Sequence, residues 1–126
     1  MKKVHKYVGI TTVVVFLLTG LYMRVKFPGL YNEREAIRFT FRANHVYILL
    51  AGLVNITMGI YLNLQSQGWK RRLQFIGSGL VLIAPTLLVI AFFYEAPLGT
   101  PERQVTSIGI LSLLVGVFCH LPSARS

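Results

Sequence analysis

The sequence predicts an all-α integral membrane protein, a four-transmembrane-helix bundle with a short amphipathic helical extension before the second helix. Three observations carry this. The composition is 54% hydrophobic and only 13% charged, where an ordinary soluble domain carries about 25% charged residues. The mean hydropathy is +0.61, and the apolar residues come in blocks rather than at amphipathic spacing. A soluble fold of 126 residues buries too small a share of its surface to hide that much apolar area. Lipid is the solvent that suits it.

The first apolar block, about residues 7–23, follows Lys2, Lys3 and Lys6. A basic start before an apolar core also describes a signal peptide, but the small-x-small pattern of a cleavage site is poor around Thr19, Gly20 and Leu21. Three more blocks follow, so an uncleaved signal anchor is expected. They run over about residues 45–64, 73–94 and 105–121. Each meets the spanning length of about 17–25 residues. Backbone groups in hydrocarbon must be satisfied internally, so each block is expected to be a helix. No period-two alternation of the barrel kind occurs. The whole chain, 1–126, reads as a single membrane domain.

The connections differ in character. Gln65 to Arg72 is short and basic, so the second and third helices are expected to be antiparallel neighbours. Glu95 to Gln104 contains Pro97, Gly99 and Pro101, a turn that cannot continue a helix. Between Met23 and His45 lies the longest connection, opening with the breaker Phe27-Pro28-Gly29. Asn32 and Glu35 have N-cap and N3 spacing, which predicts an interfacial helix over about residues 32–44 running into the second span.

The net charge is +9. In a soluble protein it would suggest nucleic acid; here the cations lie between apolar blocks, where they anchor helix ends and attract anionic lipids. No nucleic-acid partner is expected. Counting Lys and Arg on either side gives near balance, so single and dual topology both stay open. The basic clusters flanking the first span and the 2–3 loop favour a bacterial-type inner membrane with both termini cytoplasmic.

Candidate functional residues are few. Arg34, Arg38 and Arg42 recur every four residues and form one helical stripe, with His45 three residues on. Such a stripe can clamp a phosphate, a carboxylate or a lipid headgroup; the simpler reading is that it faces headgroups and water. In the second span Asn44, Ala51, Gly52, Asn55 and Gly59 share a broad sector, with His45 at its edge. An amide in hydrocarbon normally faces a protein partner, so Asn55 is expected to point into the bundle or an oligomer interface. Pro85 with Thr86 marks a kink whose freed carbonyl a neighbour or a hydroxyl must satisfy. Ser112 and Gly116 have small-xxx-small spacing in the fourth span.

No metal site and no cofactor is expected. Cys119 is the only cysteine, which removes disulfides and multi-cysteine metal sites. His45 and His120 fall at opposite faces in a four-crossing topology, so they cannot share a haem within one chain. His5 and His120 fall on the same side, but His5 precedes the first block, in a terminus expected to be mobile. No Asp, Glu, Lys or Arg lies centrally in any block, against proton-coupled carriers. No phosphate loop or zinc motif occurs, so an enzyme is disfavoured.

The order of a first span, an arginine-bearing segment and a second span opening with Arg42-Ala43-Asn44-His45 resembles the membrane-associated eicosanoid and glutathione metabolism proteins. Their second helix carries an acidic residue, and here no carboxylate occurs between Glu35 and Glu95. No family is assigned on that basis. The leading expectation is a non-enzymatic membrane protein that packs against a larger complex or itself. Asn44, Asn55 and Thr86 are the intramembrane polar candidates; the alternatives are a small oligomeric transporter or channel with Asn55 and nearby polar groups lining a path, or a membrane enzyme or binding protein for an amphipathic anion at Arg34, Arg38, Arg42 and His45.

Overall fold

A computed structural model of the chain describes residues 1–27, 29, 34–66, 68–98 and 103–124. The described residues are helical, with no strand among them. The elements are α1 (Lys2–Lys26), α2 (Glu35–Tyr61), α3 (Trp69–Tyr94), a 3-10 turn (Ala96–Leu98), α4 (Gln104–Phe118) and a short α5 (Leu121–Ala124). α1, α2 and the stretch Trp69–Leu98 are long and apolar enough to cross a membrane. α4 is apolar but shorter, with 15 residues.

One element differs from expectation, and another runs on as expected. α1 starts at Lys2, ahead of the apolar block, so His5 lies inside a helix and not in a mobile terminus. Nothing in the segment opposes this: Lys is a good helix former, and neither Gly nor Pro interrupts it. The expected extension and second block form one continuous helix, α2. Its N-cap is Arg34, which makes no side-chain capping bond. The cap expected at Asn32 lies outside the described residues.

The helices form two antiparallel hairpins. α1 packs along α2, α4 packs along α3, and the α2–α3 contact joins the pairs. That central contact has a heptad seam. On α2 the buried residues Ile37, Phe41, Asn44, Ile48, Ala51 and Asn55 alternate spacings of four and three; on α3 Gln74, Ser78, Val81, Pro85, Leu88 and Phe92 do the same. This is the repeat that keeps one face of each helix against its partner. At one end of the seam the rings of Phe27, Phe41 and Phe92 meet edge to face, with centroids 5.1 and 5.0 Å apart.

Within each hairpin, glycine sets the distance. A Cβ on Gly9 would fall 2.6 Å from the backbone nitrogen of Ile56 and 2.9 Å from the oxygen of Gly52. One on Gly59 would meet the backbone of Lys6 at 2.8 Å, and one on Gly77 the oxygen of Gly116 at 2.6 Å. Small residues of this kind let helix backbones approach where no water drives association. Gly79 has nothing within 4 Å of such a Cβ. Gly9→Leu is therefore expected to destabilise the fold by about 1–3 kcal/mol, the usual cost of overpacking. Gly79→Ala should keep or raise stability, as both would show in unfolding titrations in mixed micelles.

Candidate functional site

Polar side chains gather at the two ends of the hairpins. At the end where α1 starts and α4 stops, Asn55 is the centre. Its amide nitrogen donates to the carbonyls of Ala51, at 2.9 Å, and Val81, at 3.1 Å. Its oxygen is 2.9 Å from His5 Nδ1. Both donors of the amide are used on carbonyls, so the oxygen accepts and His5 Nδ1 carries the hydrogen. His5 and Asn55 are both 0% exposed.

The Val81 carbonyl has a reason to need Asn55. In a regular helix it would accept from the nitrogen of residue 85, which is proline and has no hydrogen. An asparagine on α2 thus supplies the donor that α3 lacks.

His120 joins the same end. Its Nε2 is 3.3 Å from the Ser78 hydroxyl, one helical turn before Val81. Nearby, Gln74 ties down the α2–α3 connection, donating to the Asn63 carbonyl at 2.9 Å and accepting from the Gln65 nitrogen at 2.8 Å.

At the opposite end the centre is Glu95, which is 8% exposed. Its carboxylate accepts from the backbone nitrogens of Val105 and Thr106 and from the Thr106 hydroxyl. These are the orphan donors of the first turn of α4, where a negative charge is favoured. Asn44 donates to the Thr106 hydroxyl at 3.2 Å and accepts from Arg103 at 2.8 Å. Thr40 on α2 donates to the Ala96 carbonyl at 2.7 Å. One linked network therefore fixes α2, the 3-10 turn and α4 to each other.

The arginine stripe and His45 are placed as follows. Arg34 and Arg42 are exposed, and Arg38 is half-buried. Arg38 donates to the Phe27 carbonyl and lies 5.9 Å from the centre of the Phe27 ring. His45 turns towards α1, stacked on Phe16 with centroids 4.0 Å apart and planes at 15°. Its Nδ1 is 3.1 Å from the Thr19 hydroxyl. That hydroxyl donates to the Phe16 carbonyl, so His45 Nδ1 carries the hydrogen. Asn44 and Asn55 sit on the seam towards α3, in separate clusters. Between them Ile48, Ala51, Ala84 and Leu88, each 0% exposed, fill the core. Thr86 is exposed and lines a groove of about 450 Å³ between α1 and α3, with Tyr7, Thr11, Thr12, Pro85 and Ile90.

Among the described residues no three of His, Cys, Asp and Glu come together as a metal-binding group. No family model, curated protein or solved structure matches the chain.

Sequence reasoning set His5 aside as part of a mobile terminus and did not single out Ser78, Glu95, Arg103 and Thr106 as site residues. For His5 a signal exists: His5, Gly9, Thr12 and Thr19, the buried residues of α1, are all small or polar and fall on one stripe of an apolar helix, where Phe16 takes the position between the last two. For Glu95 none exists, because its capping partners lie across the turn instead of in the next three residues.

If Asn55 serves the proline-freed carbonyl, the two residues must be coupled. Asn55→Leu is expected to cost about 1–3 kcal/mol, the penalty for leaving buried polar groups unpaired. With Pro85→Ala, residue 85 again offers a hydrogen to the Val81 carbonyl, so the same substitution should cost about 1 kcal/mol less. A double-mutant cycle in mixed micelles measures the difference; equal costs in both backgrounds would remove the link.

Proposed function

We propose that this chain is a four-span bundle in a bacterial-type inner membrane that works by association, as an accessory subunit of a membrane complex or in a self-assembly. The observation that supports it is the use made of the polar groups. Asn44, Asn55, Thr40, Thr106 and Glu95 bond to one another and to backbone within the chain, and the core between the two clusters is apolar. What faces outward is apolar too: Val14, Leu17, Leu18 and Leu21 on α1, and Ile108, Leu111, Leu114 and Phe118 on α4, are all exposed.

Flank and centre are unequally covered. Of the most apolar stretch of α1, 17% is buried within the chain, against 44% for α3. The free side of α1 and the groove it forms with α3 offer a partner helix a seat that the chain's own helices leave open. Transport would call for polar groups between Asn55 and Asn44, where Ile48, Ala51, Ala84 and Leu88 stand. Anion binding at the arginine stripe would call for Arg38 and His45 to face one ligand, but they pack on Phe27 and Phe16 respectively. In the proposed orientation Lys2, Lys3, Lys6, Lys70, Arg71 and Arg72 lie at the cytoplasmic headgroups, where anionic lipid attracts them.

Native mass spectrometry of protein extracted in mild detergent tests association directly. A fixed-stoichiometry complex is expected, with a partner or with further copies of the chain, and Thr86→Trp, which fills the groove, should reduce its recovery. A monomer under every mild extraction would overturn the proposal. In a Cys119→Ser background, Ser66→Cys and Leu98→Cys should label from opposite sides of the membrane; labelling from one side in all molecules would break the four-span arrangement.

A further inference from the structure

A second cleft, of about 400 Å³, lies between α2 and the first turns of α4. Arg103, Thr106 and Ser107 line its outer end, Ile110 and Leu111 its inner end, and Tyr47 reaches it from α2. Seven residues of helix separate Arg103 from Ile110, about 10 Å along the axis of α4. In the membrane placement proposed above, Arg103 stands at the headgroup boundary and Leu111 in the hydrocarbon. The cleft thus passes from cationic to apolar in the direction in which a lipid passes from headgroup to chain.

An arginine beside a connection is ordinarily free to turn towards water. Arg103 is held instead. Its Nη1 donates to Asn44 Oδ1 at 2.8 Å, and Asn44 is 0% exposed and itself fixed on Thr106. Among the described residues Nε and Nη2 make no bond. Those two nitrogens form the side-on edge of the guanidinium, which matches two oxygens of a phosphate or a carboxylate. The hydroxyls around it are unequal. Thr106 gives its hydrogen to Glu95, and Ser107 gives its own to the Arg103 carbonyl. Tyr47 makes no hydrogen bond among the described residues, so its hydroxyl is the second donor available to the cleft.

We infer that this cleft binds one phospholipid, its phosphodiester on the free edge of Arg103 and on the Tyr47 hydroxyl, and one acyl chain along Ile110 and Leu111. Glu95 limits the charge of the headgroup. Its carboxylate sits behind Thr106, already met by the first turn of α4. A phosphodiester brings one negative charge, which Arg103 matches. A phosphomonoester would bring a second charge beside that carboxylate, with nothing further to offset it. Tyr47 suits the boundary: its ring packs against the core, and tyrosine is favoured where an apolar ring meets the headgroup level. The cleft uses α2 and α4, not the groove between α1 and α3, so the inference stands whether or not a partner helix occupies that groove.

The test uses the full chain, freed of lipid by detergent exchange. Wild type and a variant of different mass share one sample with limiting dioleoylphosphatidylglycerol, and native mass spectrometry reads the share of each that carries one lipid. Arg103→Gln should weaken retention about tenfold, and Tyr47→Phe about threefold. Arg42→Gln removes an exposed cation of α2 outside the cleft and should change nothing. Should Arg103→Gln fail to fold, Leu111→Trp still decides: it narrows the apolar end at an exposed position, touches no polar bond, and should also lower retention. Dioleoylglycerol, which has the chains without the phosphate, should not be retained. Phosphatidylglycerol with a diazirine in its acyl chain should cross-link at Ile110 or Leu111. Equal retention by wild type, Tyr47→Phe and Leu111→Trp would overturn the site. So would equal retention of dioleoylglycerol, cross-links confined to α1 and α3, or full displacement of the lipid by glycerol 3-phosphate, which would mark a phosphate site with no use for the chain.

Discussion

The arrangement of α1, α2 and α3 depends on one carbonyl. Pro85 leaves the oxygen of Val81 without its helical donor, deep in a core where no water is at hand to replace it. Asn55 answers from α2, and because an amide has a second end, the same side chain also takes the hydrogen of His5 on α1. A local defect in one helix is thereby converted into a three-helix junction. The register follows from it. Residues 55 and 40 of α2 bond to residue 81 of α3 and residue 96 of the 3-10 turn, fifteen positions apart in both stretches, about 22 Å along α2. A slip in either direction would leave both carbonyls bare.

Apolar packing alone would not give this precision. Between helices in lipid, contact of one apolar side chain with another is little better than contact with a lipid chain. What distinguishes one register from the next is the backbone-to-backbone approach that the glycines allow and the polar contacts at the two ends. Glu95 has the second of these tasks. Its carboxylate neutralises the exposed first turn of α4, and through Thr106 the same contact reaches Asn44 and Arg103.

Much of this was legible in the residues. The blocks announce the helices, because apolar runs of this length leave the backbone no partner but itself. The inward turn of Asn55 follows from the cost of an amide in hydrocarbon, and the need of Pro85 for a substitute donor follows from its ring. What pairs them was not legible, since the bond joins residues 26 positions apart and many donors would have served. His5 was misplaced for a physical reason. Three lysines around it suggest a solvated end, yet their long stems and charged heads can stay at the surface while the ring between them turns inward. The arginine stripe was legible as a stripe and silent about Phe27, because a cation over a ring and a cation over a phosphate ask for the same residue.

The dependence of α2 on partners later in the chain bears on how the protein is made. A chain synthesised from its N-terminus completes the α1–α2 hairpin first, with the close approach that Gly9 and Gly59 allow. At that stage Asn55 has His5 but not Val81, and Asn44 has neither Thr106 nor Arg103. The first hairpin therefore waits with unspent amides on one side until α3 and α4 emerge. Until they do, that side is the part of the molecule most open to misplaced pairing with another nascent helix, and the completed α3–α4 hairpin withdraws it.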